Sequence, residues 1–231
     1  MNNKKNSEWN TAYKNKDNFV FYPQEDIVRF VSKYIKKRIG LNKYLDWNDY
    51  SSSPKVLDFG CGIGRHVKLL NEFGLDAYGF DLSDEAIKVS KQNFKELGLM
   101  DVLDNLIVAD ITNLPYENDY FDFMLSHGVL DSMPFEIARS GLIELHRCLK
   151  RGGKVYFDLI SSDDSSYDDN GFEKTVSGKH ENGTIQSYFD EGRINKLIEG
   201  LFRINEIRLN LNKDIKSGLT NSRYHIVVEK I

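Results

Sequence analysis

The stretch VLDFGCGIGRH, residues 56–66, constrains this chain more than any other. It begins as a short apolar strand, turns through Gly60, Gly62 and Gly64, and runs into a helical pattern at Arg65. Glycines in that position let the chain turn tightly and bring bare backbone close to a ligand. In an open parallel sheet such a turn lies at the C-terminal end of a strand, beside the crevice where strand order reverses.

The sequence on either side alternates between the two periodicities that such a sheet needs. Residues 65–73 read as a helix stopped by Gly74, and 76–82 as a second strand. Ser83 can cap a helix whose first turn holds Asp84 and Glu85, which complement the positive end of the dipole. That helix is expected to bury Ile87, Phe94 and Leu97 and to stop at Gly98. Residues 106–111 and 120–126 read as strands, and 135–149 as a helix. A fifth strand spans 154–160, opened by the turn Lys150-Arg151-Gly152-Gly153. The expected fold is α/β, a Rossmann-like doubly wound sheet, mostly parallel with an antiparallel last strand.

Three further regions complete a single expected domain over 1–231. Residues 1–50 form an arm and helix belonging to a lid, the helix spanning 24–39 with Ile27, Phe30, Val31, Tyr34 and Ile35 on one face. Residues 51–161 form the cofactor-binding core. Residues 162–189 are an insertion over the substrate site, with Glu181-Asn182-Gly183 as a hairpin turn. Residues 190–231 supply a terminal helix and two strands. In these, Ile207, Leu209 and Leu211 share one face, as do Tyr224, Ile226 and Val228.

A net charge of −4, with Lys36-Lys37-Arg38 as the one basic cluster, disfavours a nucleic-acid partner. Cys61 and Cys148 lack metal-ligand spacing and suit a reducing compartment. The polar start MNNKKNSEWN lacks the apolar core of a signal peptide, and no apolar run approaches a membrane span. The expectation is a cytoplasmic protein with no membrane partner and no metal, monomeric or homodimeric.

The ligand is narrowed by what flanks the glycines. Asp81, in GFDLS about twenty residues on, can accept both hydroxyls of a ribose. Nicotinamide enzymes use the same device, but their fingerprint places a third glycine three residues after the second. Here that position is Arg65, and Gly64 comes one residue early. Asp58 adds a carboxylate that would repel a pyrophosphate and favour an α-amino group or a sulfonium. No Gly-Lys-Ser/Thr closes the loop, which removes the P-loop alternative.

VLDFGCGIGRH, GFDLS, VADITNLPY, YFDFMLSHGVLDSM and LKRGGKVYFDLIS, in this order, resemble the sequential motifs of class I S-adenosylmethionine-dependent methyltransferases, of the small-molecule type. The resemblance is strong over about residues 55–161 and looser over 190–230. It implies S-adenosyl-L-methionine as cofactor and S-adenosyl-L-homocysteine as product. Asp58, Gly60, Cys61, Gly62 and Arg65 would lie around the methionine moiety. Asp81 would bind the ribose, with Leu82 on the adenine. Asp110 would contact the adenine amino group, and Ile111 would pack on the ring. Ser126 and His127 would sit beside the sulfonium and the substrate. Arg151 stands where the family often has proline.

Methyl transfer needs alignment of an acceptor more than activation of the donor. His127 is the best-placed general base, and Asp131 can orient an amine. Tyr13, Phe19, Tyr22 and Arg29 in the arm, with Tyr167 and Tyr188 in the insertion, are candidate substrate contacts; Trp9, Phe21 and His180 belong to the same two segments. No Asn-Pro-Pro-Tyr-type tetrapeptide follows the fourth strand, and no Pro-Cys nucleophile is present, which disfavours nucleic-acid bases. The expectation is transfer to N or O of a small metabolite. The alternatives are a non-catalytic S-adenosylmethionine-binding subunit and a nicotinamide-dependent oxidoreductase.

Overall fold

The computed structural model describes residues 2–16, 19–47, 52–177 and 181–231. His180 of the insertion and residues 17–18 of the arm lie outside that set. In chain order the elements are helices α1 (Asn2–Lys14) and α2 (Glu25–Tyr34), strands β1 (Lys36–Arg38), β2 (Tyr44–Asp46) and β3 (Lys55–Phe59), then α3 (Arg65–Glu72), β4 (Asp76–Asp81) and α4 (Asp84–Glu96). After a short 3-10 turn come β5 (Leu106–Val108), β6 (Phe121–Leu125), α5 (Phe135–Cys148), β7 (Leu149–Ile160), β8 (Glu173–Thr175), β9 (Ile185–Ser187), α6 (Glu191–Ile198), β10 (Phe202–Lys213) and β11 (Thr220–Lys230).

Seven strands form the central sheet in the order β10-β11-β7-β6-β3-β4-β5. β3 pairs in parallel with β4 on one side and with β6 on the other, so strand order reverses at β3. β11 runs antiparallel between β7 and β10. The doubly wound sheet with an antiparallel last strand is therefore present as expected. Strand periodicity fixes the two faces: Val155, Phe157 and Leu159 of β7 face α5 and α6, while Tyr156 faces the α2–α3–α4 layer.

Several element boundaries differ from the sequence expectation. The amphipathic helix ends at Tyr34 rather than at 39, because the chain returning through β2 takes its last carbonyls. Trp47 Nε1 donates to Ser32 O at 2.7 Å, and Lys36–Arg38 pairs with Tyr44–Asp46 as a hairpin. The basic cluster is thus strand, not helix end. Leu97 closes α4 facing solvent, leaving Ile87 and Phe94 as its buried contacts.

The polar N-terminal segment, which carries few apolar residues, is itself a helix. Trp9, Ala12 and Tyr13, spaced three and one apart, give α1 its inner face; Ala12 and Tyr13 are buried, and Tyr13 packs with Ile63 and Ala86. Asn10 fixes it to α4: its Oδ1 accepts from Ser83 Oγ, the residue that caps α4 through the Ala86 amide.

Candidate functional site

The glycine turn is tied down at both ends. Cys61 N donates to Phe80 O at 2.9 Å, Gly62 N donates to Asp81 Oδ2 at 2.9 Å, and Asn93 Nδ2 of α4 holds Ile63 O at 3.1 Å. The turn cannot carry side chains. Gly60 and Gly62 have φ of +70° and +53°. A Cβ on Gly60 would meet Val129 at 2.3 Å, and one on Gly62 would meet the Tyr13 hydroxyl at 2.6 Å. Helix α1 and the loop after β6 therefore close against the same stretch of bare backbone.

Between them lies a cavity of about 430 Å³, within the range of small-molecule sites. Its wall brings together Gly60, Cys61, Gly62, Arg65, Asp81, Leu82, Asp110, Ile111 and His127, residues drawn from four stretches of sequence. Asp81, at the end of β4, is 8% exposed. Its Oδ1 accepts from Ser83 N and its Oδ2 from Gly62 N, both at 2.9 Å. Burial pushes its pKa up to about 6, against those amides, which pull it down. A carboxylate offers about four acceptor sites, so two remain for a ligand. Asp110 Oδ1 accepts from the amide and hydroxyl of Thr112, at 2.9 and 2.8 Å, which fixes the turn presenting Ile111.

Asp58 and Ser126 stand behind the wall rather than in it. Both are 1% exposed, and neither Asp58 oxygen has a hydrogen-bond partner among the described residues. His66 Nδ1 is the nearest donor, 3.7 Å from Asp58 Oδ1, too far for a hydrogen bond. Burial lowers the pKa of His66, and its Nε2 accepts from Gln24 N. A buried carboxylate without donors is costly unless a cationic or donor group completes it.

Other expected contacts are not brought to the cavity. Asp131 is buried elsewhere: Arg223 Nη2 and Ile160 N both donate to its Oδ2, and its backbone carbonyl anchors Ser187. Phe19 packs on Ile63 and Ala86 without reaching the wall. Tyr22 is 71% exposed, and Arg29 is exposed and paired with Glu25. Tyr167 packs on Phe172 and Tyr188, and the buried Tyr188 hydroxyl bonds Ser166. The insertion's described residues therefore stay off the cavity wall. Its hairpin docks beside α5 instead, where Glu173 accepts from the Phe135 amide.

The sequence reading missed most of the opposite wall: Val20, Ala109, Thr112, Gly128, Val129, Ser132, Met133 and Ile137. Trp9 joins Tyr13 there from α1. The signal in the sequence was the spacing that puts Ile137 on one side of the helix with Gly141, Leu145 and Cys148; in the structure it stays half-exposed on the cavity wall.

Comparison with known proteins agrees with this architecture. Residues 57–157 match the family model described as a methyltransferase domain. A sterol 4-C-methyltransferase of Caenorhabditis elegans is 28% identical over 129 residues, 55% of this chain and 38% of that protein. Norajmaline N-methyltransferase of Rauvolfia serpentina is 35% identical over 82 residues, 35% of this chain and 28% of that protein. Among solved structures, a SAM-dependent methyltransferase from Methanosarcina mazei superposes with a TM-score of 0.64 at 20% identity, covering 81% of this chain and 99% of that one. The matches span about half or less of the length of the first curated relatives.

The sheet order and the cavity at its reversal point define the class I methyltransferase fold. Residues 57–157 match the methyltransferase-domain family model, and the motifs in that segment resemble those of its S-adenosylmethionine-dependent members. S-adenosylmethionine is the cofactor of that class, and the residues present fit it. A buried carboxylate beside the glycine turn suits a ribose diol, and the donorless Asp58 suits an α-amino group.

Proposed function

We propose that the protein transfers the methyl group of S-adenosylmethionine to a small-molecule acceptor. The observation that carries this reading is Asp81, a buried carboxylate bonded to the Gly62 amide with acceptor capacity still facing the cavity. When bound, the cofactor supplies a methyl group already activated on a sulfonium. The chain's own residues then bind, align and exclude water.

In this reading Asp81 accepts the ribose hydroxyls, and Leu82 and Ile111 enclose the adenine, with Asp110 at its amino group. Gly60, Cys61 and Gly62 pass backbone along the methionine end. Arg65 meets its carboxylate, and Asp58 with Ser126 reaches its amino group directly or through water. Tyr13 and Trp9 on α1 cover the site. Burial, and after it the charge of Asp81, raises the Tyr13 pKa well above its usual value, so the phenol stays neutral over the turn. The acceptor enters against Val129, Met133 and Ile137, an apolar wall with one hydroxyl, Ser132.

The relatives' names include both a C- and an N-methyltransferase, so the acceptor atom is not inherited from them. Nitrogen or oxygen of a small metabolite is the reading favoured here. The test is incubation of the full chain with trideuteromethyl-labelled S-adenosylmethionine and a metabolite extract, followed by mass spectrometry. A species gaining one labelled methyl group supports the proposal. Cofactor binding without any labelled product favours a non-catalytic binding subunit.

A further inference from the structure

His127 is a cavity-wall residue whose side chain ends a buried chain of charges. Its Nδ1 lies against Asp158 Oδ2. Asp158 sits inside β7, 1% exposed, and its other oxygen accepts from Gly128 N at 2.8 Å. Arg223 of β11 donates from Nε to Asp158 Oδ2 at 3.1 Å and from Nη2 to Asp131 Oδ2. Asp131 is closed by the Ile160 amide at 3.0 Å. Three segments distant in sequence thus converge around one imidazole.

The charge count gives this arrangement a direction. Two buried carboxylates face one guanidinium, so the cluster holds one negative charge in excess. The Asp158 carboxylate lies at the Nδ1 edge of the His127 ring, placed to accept the proton on that nitrogen. Burial opposes ionisation of Asp158, but Arg223, His127 and the Gly128 amide outweigh it and hold this carboxyl below its usual range. Asp158 therefore stays charged and fixes the tautomer, with the proton on Nδ1 and Nε2 left as the basic nitrogen. Among the described residues, His66 of α3 also faces this ring, its pKa lowered by burial, with Asp58 behind it.

We propose that His127 takes the proton of the methyl acceptor through Nε2, with Asp158 as its positioning residue and the Arg223–Asp131 pair holding Asp158 in place. The proposal rests on the methyl-transfer reading and narrows its substrate class to acceptors that must lose a proton, a hydroxyl or an amine. A bond forms between the acceptor heteroatom and the methyl carbon. The carbon–sulfur bond breaks with its electron pair going to sulfur, the acceptor proton passes to Nε2, and solvent later removes it. Asp131, which the sequence suggested as a direct participant, serves two steps away through Arg223.

The test uses the full chain saturated with S-adenosylhomocysteine. Long-range proton–nitrogen NMR correlation of the His127 ring should show hydrogen on Nδ1 and a bare Nε2 in neutral imidazole. The opposite tautomer would overturn the proposal. With labelled cofactor and extract, His127→Gln and Asp158→Asn should each lower kcat about 100-fold or more. They should also remove the acid limb of the pH–rate profile, while S-adenosylhomocysteine affinity stays within about threefold. Wild-type rates in His127→Gln would also overturn it. Failure of the folded wild type to bind S-adenosylhomocysteine would remove the methyl-transfer reading, and this proposal with it.

Discussion

The amide of Gly62 donates to Asp81 Oδ2 at 2.9 Å, joining the glycine turn to the end of the neighbouring strand. One carboxylate thereby shapes the turn and faces the ligand. Asp81→Asn keeps the shape but replaces an acceptor-only group with one that also carries donors. The expected outcome is a loss of S-adenosylhomocysteine affinity of about 10- to 100-fold, the worth of a charge-assisted hydrogen bond of roughly 1.5–3 kcal/mol. Calorimetry checks it, and a variant that binds as tightly as wild type would remove Asp81 from the site.

The same carboxylate sets a pH dependence. Burial raises its pKa to about 6 in the free protein, and ribose hydroxyls donate more strongly to the ionised form, which accepts at both oxygens. Affinity should be flat above about pH 7 and fall as pH drops through about 6, by up to about tenfold per unit. Folding responds with the opposite sign. A raised carboxyl pKa contributes stability that is present below the unfolded value and lost as pH rises through about 6. Calorimetric titrations across this window should lose their acid limb in Asp81→Asn.

Gly62 and Tyr13 are coupled through contact. Gly62→Ala places a Cβ at 2.6 Å from the Tyr13 hydroxyl, at a φ of +53° that alone costs about 1 kcal/mol. The expected result is weakened cofactor binding. Adding Tyr13→Phe should recover part of the loss, because it removes the clashing atom and leaves only the backbone strain. A double-mutant cycle measures the recovered portion, and strict additivity would show that α1 does not rest on the turn.

A second buried network lies away from the cavity and gives a stability control. Asp26 of α2 accepts from Arg208 Nη2 of β10 at 2.9 Å and faces His225 Nδ1 at 3.3 Å; that nitrogen also meets the Tyr156 hydroxyl at 2.8 Å. Burial lowers the His225 pKa. Asp26→Asn should cost about 1–3 kcal/mol and several degrees in Tm by calorimetric scanning. Cofactor affinity should not change, since none of these residues lines the cavity.

The convergence of the glycine turn and Asp81 on one cavity was legible because it depends on local spacing. Glycines at the end of β3 and a carboxylate at the end of β4 have one shared destination when the strands are adjacent and parallel. The acceptor half was not. Asp131 looked available from its closeness to His127 in sequence, but Arg223, 92 residues further on, draws its carboxylate away. Tyr167 and Tyr188 looked like a substrate wall, yet aromatic rings within one insertion satisfy each other first. Helix α1 was hidden because its inner face is only Trp9, Ala12 and Tyr13 among polar residues, too narrow for a periodic signal. Asp158 sits in an apolar strand with nothing local to mark its role, which exists only once β7, β6 and β11 lie side by side.

Titration of S-adenosylhomocysteine into the full chain by isothermal calorimetry tests the central claim most directly. The expected result is saturable one-to-one binding in the micromolar range, about −8 kcal/mol, weakened in Asp81→Asn and unchanged in Asp26→Asn. No heat of binding from a wild-type protein shown to be folded would contradict the assignment of this cavity to S-adenosylmethionine.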